Sequence, residues 1–252
     1  MPKLIATNDD QVIEIPGPGN FQFSAVRIED LGASEYTLVT IVCDISGSVM
    51  HFADDLLGCI KTIVKACKKS PRAENLLVRL LLFNDKLFEI HGFKDLSNIN
   101  PDDYKELEPD GFTALFDASY DGIGATVEYA KRLIQQDFEC NGAVYILTDG
   151  MNNRGSMTPL TIKDKISSTL QGEEIESLVT ILVGLHAPGQ PWEHAVKASL
   201  DLFYKEADLT QFIDIGDATP QRLAKLANWV SESVSSQSQA LGTGAASQQL
   251  TF

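Results

Sequence analysis

Acid and hydroxyl side chains follow an apolar stretch early in the chain. Residues 40–50 read TIVCDISGSVM, so a β-branched, apolar run leads directly into Asp44, Ser46 and Ser48. Gly47, between the serines, permits a tight bend that could turn both hydroxyls inward. Oxygen donors without imidazole or thiolate favour Mg²⁺ or Mn²⁺ over zinc or copper. This stretch is therefore a candidate for one part of a metal site.

Two later positions supply further oxygen donors. Thr113 begins a predicted helix, and Asp149 ends the predicted strand GAVYILTDG at 142–150. In an open parallel sheet, functional groups gather at the carboxyl ends of the strands, where the strand order reverses. We therefore predict that five oxygen-bearing side chains converge at one edge of the sheet: Asp44, Ser46, Ser48, Thr113 and Asp149.

Helix capping is a simpler explanation for each loop taken alone. Asp and Ser residues after a strand commonly accept hydrogen bonds from the first N–H groups of the next helix. Capping explains any one loop about as well as a metal does. It does not explain three loops with the same chemistry, so we favour the metal site.

A phosphoaspartyl hydrolase is an alternative, because such enzymes also place an acid after a buried strand and use Mg²⁺. Asp44 would then be the nucleophile. The position two residues later, where a second acid would transfer a proton, is Ser46. A serine is not a general acid near neutral pH, which argues against this reading.

The elements that must position these residues alternate between apolar strands and amphipathic helices. This alternation predicts an α/β fold: a doubly wound, mostly parallel sheet with helices on both faces. A tight turn after 76–84 predicts that LFEIHGF returns as one antiparallel edge strand. The predicted strands are 37–45, 76–84, 142–150, 177–185 and 211–215, and the predicted helices include 113–135, 192–207 and one carrying Leu223 to Val234.

Both ends of the chain fall outside this pattern. Residues 1–35 carry two strand-like runs around a Pro-Gly-Pro-Gly turn, which predicts an N-terminal β-hairpin beside a main domain at 36–234. Residues 235–252 have no charge and few large apolar side chains, so we predict a disordered tail. Its apolar last residues could alternatively form a short docking segment.

Composition limits the function further. The chain of 252 residues has 20 Lys and Arg against 35 Asp and Glu, a net charge of −15, which argues against a nucleic-acid partner. Neither a secretory leader nor an apolar run of membrane-spanning length is recognisable, so we expect a cytoplasmic protein without a membrane partner. The four cysteines lie in apolar patterns and predict buried thiols. We expect the histidines of the 186–194 segment to be solvated.

The motifs DISGS, GFTALFDA and ILTDG, in this order, resemble the metal-ion-dependent adhesion site of von Willebrand factor A (vWA) domains. The resemblance covers residues 36–232 and implies a Rossmann-like fold. The local sequence LLLFND, followed by a helix that begins with Thr, looks most like the bacterial TerY-like vWA proteins of tellurium-resistance and phage-response systems.

The resemblance implies roles for the five residues. Ser46, Ser48 and Thr113 would contact the ion, and Asp44 and Asp149 would hold water molecules on it. An acidic residue of a partner protein would then complete the coordination. AAA+ ATPases, kinases and phosphatases are the partner classes that the family implies.

The loop after the third motif would flank such an ion. There we expect Asn152, Asn153 and Arg154 to select the partner, although an ordinary polar loop is an equally good interpretation. Our functional hypothesis is a Mg²⁺-dependent adaptor without catalysis of its own. The alternatives are a structural assembly protein that uses the hairpin and tail, and the phosphohydrolase above.

Overall fold

The sheet of this protein positions the predicted site, and its strands follow the predicted order of elements. The computed structural model describes residues 10–172, 174–186, 193–243 and 250–252. In these residues the strands are β1 (Asp10–Glu14), β2 (Gln22–Val26), β3 (Glu35–Asp44), β4 (Leu76–Phe83), β5 (Leu87–Asp95), β6 (Glu139–Thr148), β7 (Ser177–His186) and β8 (Gln211–Asp217). The helices are α1 (Ala53–Cys67), α2 (Leu115–Ile134), α3 (Pro159–Gln171), α4 (Glu193–Glu206) and α5 (Pro220–Thr243).

β3 lies at the centre and is covered on both faces. Alternate residues of a strand point to opposite sides, so Val42 packs in the core formed with α2, α3 and α4, while Ile41 packs in the core formed with α1 and α5. β3 pairs in parallel with both β4 and β6. The predicted doubly wound, mostly parallel sheet with helices on both faces is confirmed.

The strand order is β1-β2-β5-β4-β3-β6-β7-β8. From β3 the chain first adds β4 on one side, and after β5 it crosses to add β6 on the other. The order therefore reverses between β3 and β6. The crevice at the carboxyl ends of these two strands is where open α/β sheets bind ligands.

The predicted N-terminal hairpin is present and extends the sheet. β1 and β2 are antiparallel, and β2 pairs in parallel with β5 at Ala25 and Phe93. The predicted antiparallel strand, β5, is consequently internal, and β1 forms the edge. Gly92 allows this arrangement, because a Cβ at that position would lie 1.8 Å from the backbone oxygen of Ser24.

The final helix continues beyond the predicted start of the tail. α5 includes residues 235–243, so the prediction of disorder is wrong for that part of the chain. Two of its buried residues bond to distant parts of the chain: Arg72 Nε donates to Ser238 Oγ at 2.9 Å, and Asn141 Nδ2 donates to the backbone carbonyl of Gln237 at 2.9 Å. Composition could not reveal this, because the partners are far away in the sequence.

The last residues of the chain dock on the core. Leu250 and Phe252 pack against the core under α1 and α5. The Phe252 ring makes an edge contact with Trp229 at 6.0 Å, and Lys225 Nζ lies 4.3 Å from its centre. Residues 250–252 therefore agree with the alternative prediction, in which the apolar end of the chain forms a short docking segment.

The cysteines agree with the prediction of buried thiols, whereas the two histidines of the 186–194 segment agree only in part with the prediction that they are solvated. All four cysteines are free and buried, and burial raises their thiol pKa values. His186 is not solvated: it is the last, buried residue of β7, and its Nε2 lies 2.7 Å from Asp214 Oδ1. His194 is exposed but lies in α4, and residues 187–192 of the predicted loop lie outside the described residues. Among the described residues, no helix is long and apolar enough to cross a bilayer.

His91 of β5 makes the stability depend on pH. Its Nδ1 lies 3.0 Å from the Gly92 carbonyl, which can only accept, so Nδ1 carries the proton and Nε2 accepts from the Tyr104 hydroxyl at 2.8 Å. Burial lowers the pKa of His91 from 6.5 to about 4. The folded state therefore holds His91 neutral at a pH where the unfolded chain binds a proton.

We expect this difference to remove about 1.5 kcal/mol of unfolding free energy between pH 6.5 and about pH 5. The unfolding free energy decreases as the pH falls, because His91 has a lower pKa in the folded state and protons therefore bind preferentially to the unfolded chain. Urea unfolding of wild type and His91→Gln across this range isolates the effect, since other titrating groups are common to both. A constant difference between the two proteins across the range would contradict it.

Candidate metal centre

Asp44 is fixed at the end of β3. The residue is fully buried, and each carboxylate oxygen accepts a hydrogen bond. The Ser46 backbone N–H donates to Oδ1 at 2.8 Å, and Thr148 Oγ1 at the end of β6 donates to Oδ2 at 2.5 Å. These bonds hold the carboxylate in one orientation across the crevice between β3 and β6.

The two serines connect Asp44 to Asp149. Ser48 Oγ donates to Asp149 Oδ1 at 2.7 Å, and the hydroxyl oxygens of Ser46 and Ser48 lie 3.2 Å apart. Because Ser48 has already donated its proton, the Ser46 hydroxyl is the donor between the serines. Four of the predicted ligands thus form one hydrogen-bonded series: Asp44, Ser46, Ser48 and Asp149.

Thr113, the fifth predicted ligand, lies beside this series. It is buried just before α2, and its Oγ1 would be 3.3 Å from a Cβ placed on Gly150, the neighbour of Asp149. Its backbone is held from the β6 side: Thr113 N–H donates to Asn153 Oδ1 at 2.8 Å, and Asn153 N–H donates to the Thr113 carbonyl at 3.0 Å. The structure therefore brings all five side chains to the carboxyl edge.

The loop before Thr113 is also tied to its neighbours. Gly47 N–H donates to the Gly111 carbonyl at 3.3 Å, and Asn84 Nδ2 donates to the Asp110 carbonyl at 2.9 Å. Asn84 and Thr148 were not identified from the sequence as residues that hold the site. Both stand where a strand of the sheet ends, and that position in the pattern is the signal that could have identified them.

The three residues expected to select a partner have different contacts. Asn152 Oδ1 accepts from the Phe116 N–H at 3.0 Å, so this amide caps the start of α2, and Asn153 binds the Thr113 backbone as described above. These contacts fit the polar-loop interpretation for both asparagines. Arg154 differs, because its exposed guanidinium lies 4.3 Å from the centre of the Phe112 ring.

The electrostatics of the site favour a cation. Burial raises the pKa of Asp44 to about 7, with a further contribution from the nearby Asp149 carboxylate, and burial raises the pKa of Asp149 to about 6. Because both values exceed 3.8, ionising these groups lowers the stability as the pH rises from about 4 towards 7. A bound cation would offset this loss.

The donor set fits a hard divalent ion. In the described part of the chain, no group of three or more His, Cys, Asp or Glu side chains is arranged to hold a metal. An ion in the crevice would instead meet two carboxylates and three hydroxyls, a set of oxygen donors that suits Mg²⁺ or Mn²⁺.

Comparison with known proteins gives matches among solved structures. No family profile and no curated sequence matches the chain. A mutant of the PilB minor pilin from Streptococcus sanguinis has a TM-score of 0.60 at 13% identity, covering 96% of this chain and 78% of the pilin. Proximal thread matrix protein 1 from the mussel byssus, with a zinc-occupied MIDAS motif, has a TM-score of 0.51 at 19% identity, covering 81% of this chain and 47% of that protein.

The pilus adhesin SpaC from Lactobacillus rhamnosus GG is also similar, with a TM-score of 0.55 at 11% identity, covering 91% of this chain. The chain spans 34% of the adhesin and 47% of the mussel protein. At these identities the comparisons establish the fold only, and the resemblance to TerY-like proteins stays a prediction. The chain has the Rossmann-like vWA fold, with the five predicted ligands at the carboxyl edge of its sheet.

Proposed function

We propose that this chain is a protein-interaction module whose binding depends on a divalent cation, with Mg²⁺ or Mn²⁺ as the ion. The observation that carries the proposal is the hydrogen-bonded series from Asp44 to Asp149 across the switch point, with Thr113 beside it. Three separate loops supply these residues. Helix capping of single loops does not require that arrangement.

The residues divide into two roles. The hydroxyls of Ser46, Ser48 and Thr113 would bind the ion directly, and the carboxylates of Asp44 and Asp149 would hold its water molecules. The ion would supply a positive site that accepts a carboxylate oxygen from a partner protein. Ser48 is exposed whereas Asp44 is fully buried, so the partner would approach from the serine side.

We propose that the chain has no catalysis of its own. A nucleophilic Asp44 would have to reach a substrate, but its side chain is fully buried. The residue two positions later, where a second acid would transfer a proton, is Ser46. Parts of the hairpin and tail that the assembly alternative would use already have contacts within the fold: β2 pairs with β5, and Phe252 packs on Trp229. A cytoplasmic location, a role in stress or phage response, and an AAA+ ATPase, kinase or phosphatase as partner belong to the same proposal.

Capture of partners by the tagged protein from its native lysate, in Mg²⁺ and in EDTA, tests this function. We expect a partner that is retained only in Mg²⁺ and is lost with Thr113→Ala. Thr62→Ala is the matched control, because Thr62 is exposed on α1 and, among the described residues, its hydroxyl bonds only to the Gly58 carbonyl of its own helix. Capture of the same proteins in EDTA and by Thr113→Ala would show that no ion mediates binding.

A further inference from the structure

Large apolar side chains are exposed around the candidate metal centre. Among the described residues, three such side chains lie on the three loops that carry the predicted ligands: Met50 is 62% exposed, Phe112 is 51% and Met151 is 41%. Each lies within two residues of a predicted ligand. In the described part of the chain, the other exposed large apolar residues lie on β1, α3 and α4, away from those loops. Clustered exposed apolar side chains mark interaction surfaces, whereas scattered ones are ordinary.

These three residues together with Arg154 form what we call the rim. The loops of the rim are bonded to each other: Gly47 N–H donates to the Gly111 carbonyl, and Arg154 N–H donates to the Thr113 carbonyl at 3.2 Å. The rim is therefore organised before any partner arrives. A preorganised surface loses little conformational entropy on binding.

The rim also carries a cation on an acidic protein. Arg154 stacks on Phe112, and in the part of the chain that the structure describes its guanidinium has no ion-pair partner. The whole chain has a net charge of −15, so a positive side chain beside the candidate metal centre differs locally from the acidic character of the protein. This charge favours an acidic ligand over a basic one.

We infer that the rim recognises a partner segment in which an acidic residue stands next to a large apolar residue. The inference rests on the proposed function, because the acid would bind the ion. The apolar residue would contact Met50, Phe112 and Met151, and Arg154 would favour further acidic residues of the segment. Methionine side chains adapt to different shapes, so the rim accepts several apolar residue types.

A random-peptide library displayed on phage and selected on the full chain in Mg²⁺ tests the inference. We expect enriched peptides to pair Asp or Glu with a neighbouring Phe, Leu, Ile, Met or Trp. Synthetic copies of these peptides should bind Phe112→Ser and Met151→Ser about tenfold more weakly than wild type, since each change removes one apolar contact. Leu202→Ser is the matched control: Leu202 is 55% exposed on α4, outside the rim, and the change should leave binding unaltered.

Calorimetric titration of each variant with Mg²⁺ separates this inference from the proposed function. Unchanged Mg²⁺ binding with weakened peptide binding in the two rim variants supports the inference. Three outcomes would overturn the inference while Mg²⁺ binding persists. The selected peptides could carry acids without apolar neighbours, the rim variants could bind the peptides as well as the wild type does, or the selection could give no Mg²⁺-dependent peptides. If the wild type binds no Mg²⁺, the proposed function fails and the inference fails with it.

Discussion

Replacing Arg79 with Met destabilises the folded protein by about 3–5 kcal/mol. Arg79 of β4 is fully buried, its Nε lies 2.7 Å from Glu89 Oε2, and its Nη2 lies 2.7 Å from Asp121 Oδ1. Both acids are also fully buried. Without the arginine, two carboxylates would stay in the core without a counter-charge, and that is the origin of the large effect.

The same network docks the N-terminal hairpin. The Ser24 N–H and Oγ of β2 donate to Glu89 Oε1 at 2.9 and 2.6 Å, so β2, β4, β5 and α2 all meet at one buried ion pair system. A loss at Arg79 therefore weakens both the hairpin and the central sheet. Burial raises the pKa of Asp121 while Arg79 lowers it, so removal of the arginine takes away the main influence that favours the ionised carboxylate.

Urea unfolding at neutral pH measures this effect. Lys65→Met is the matched control, because Lys65 Nζ lies 2.6 Å from Asp102 Oδ1 but the two side chains are 50% and 68% exposed. We expect the control to lose less than about 1 kcal/mol, as exposed ion pairs do. A loss of similarly small size in Arg79→Met would mean that the buried network contributes little to stability.

Asp44→Asn abolishes the stabilisation of the protein by Mg²⁺. The wild type should gain about 2.7 kcal/mol at an Mg²⁺ concentration of 100 times Kd, because the ion binds the folded chain only. The variant lacks the carboxylate that orients the Ser46 loop and that, in the proposed function, would hold water on the ion. Without Mg²⁺ we expect Asp44→Asn to be at least as stable as the wild type near neutral pH, since it removes a buried charge close to Asp149.

Thermal unfolding in Mg²⁺ and in EDTA measures both parts of this expectation. Asp164→Asn is the control, because Asp164 is an exposed residue of α3 and the substitution removes the same charge. The control should keep the full response to Mg²⁺. An equal response from Asp44→Asn would show that Asp44 does not support the ion, and the five-residue site would have to be redrawn.

The fold class and the convergence of the candidate ligands could be predicted because both depend on local patterns. Buried parallel strands read as continuous apolar runs, as in β3 and β6, and in a parallel arrangement the ends of such runs lie at the same carboxyl edge. Asp44, Thr113 and Asp149 could therefore be assigned to one edge without knowledge of any distance. Their role in binding a metal stays a prediction.

The contacts that fix the site could not be predicted in the same way. Thr148 bonds to Asp44 across 104 positions, and Asn153 bonds to Thr113 across 40, so neither pairing leaves a local trace in the sequence. Two interpretations of Asn152 and Asn153 were open from the sequence, selection of a partner and an ordinary polar loop. Their amide contacts with the backbone of Thr113 and Phe116 fit the second.

The sequence by itself determined where strands end in oxygen donors, because alternation and periodicity act over a few neighbouring residues. Only the tertiary structure decided that β5 is internal and that α5 extends through Ser235 to Thr243. It also decided that Arg79, a charge within an apolar strand, is paired. These outcomes depend on partners distant in the sequence: Ser24 against Gly92, Arg72 and Asn141 against α5, and Glu89 and Asp121 around the guanidinium. A buried polar group is stable only where such a partner meets it, and the packing of whole elements decides where that happens.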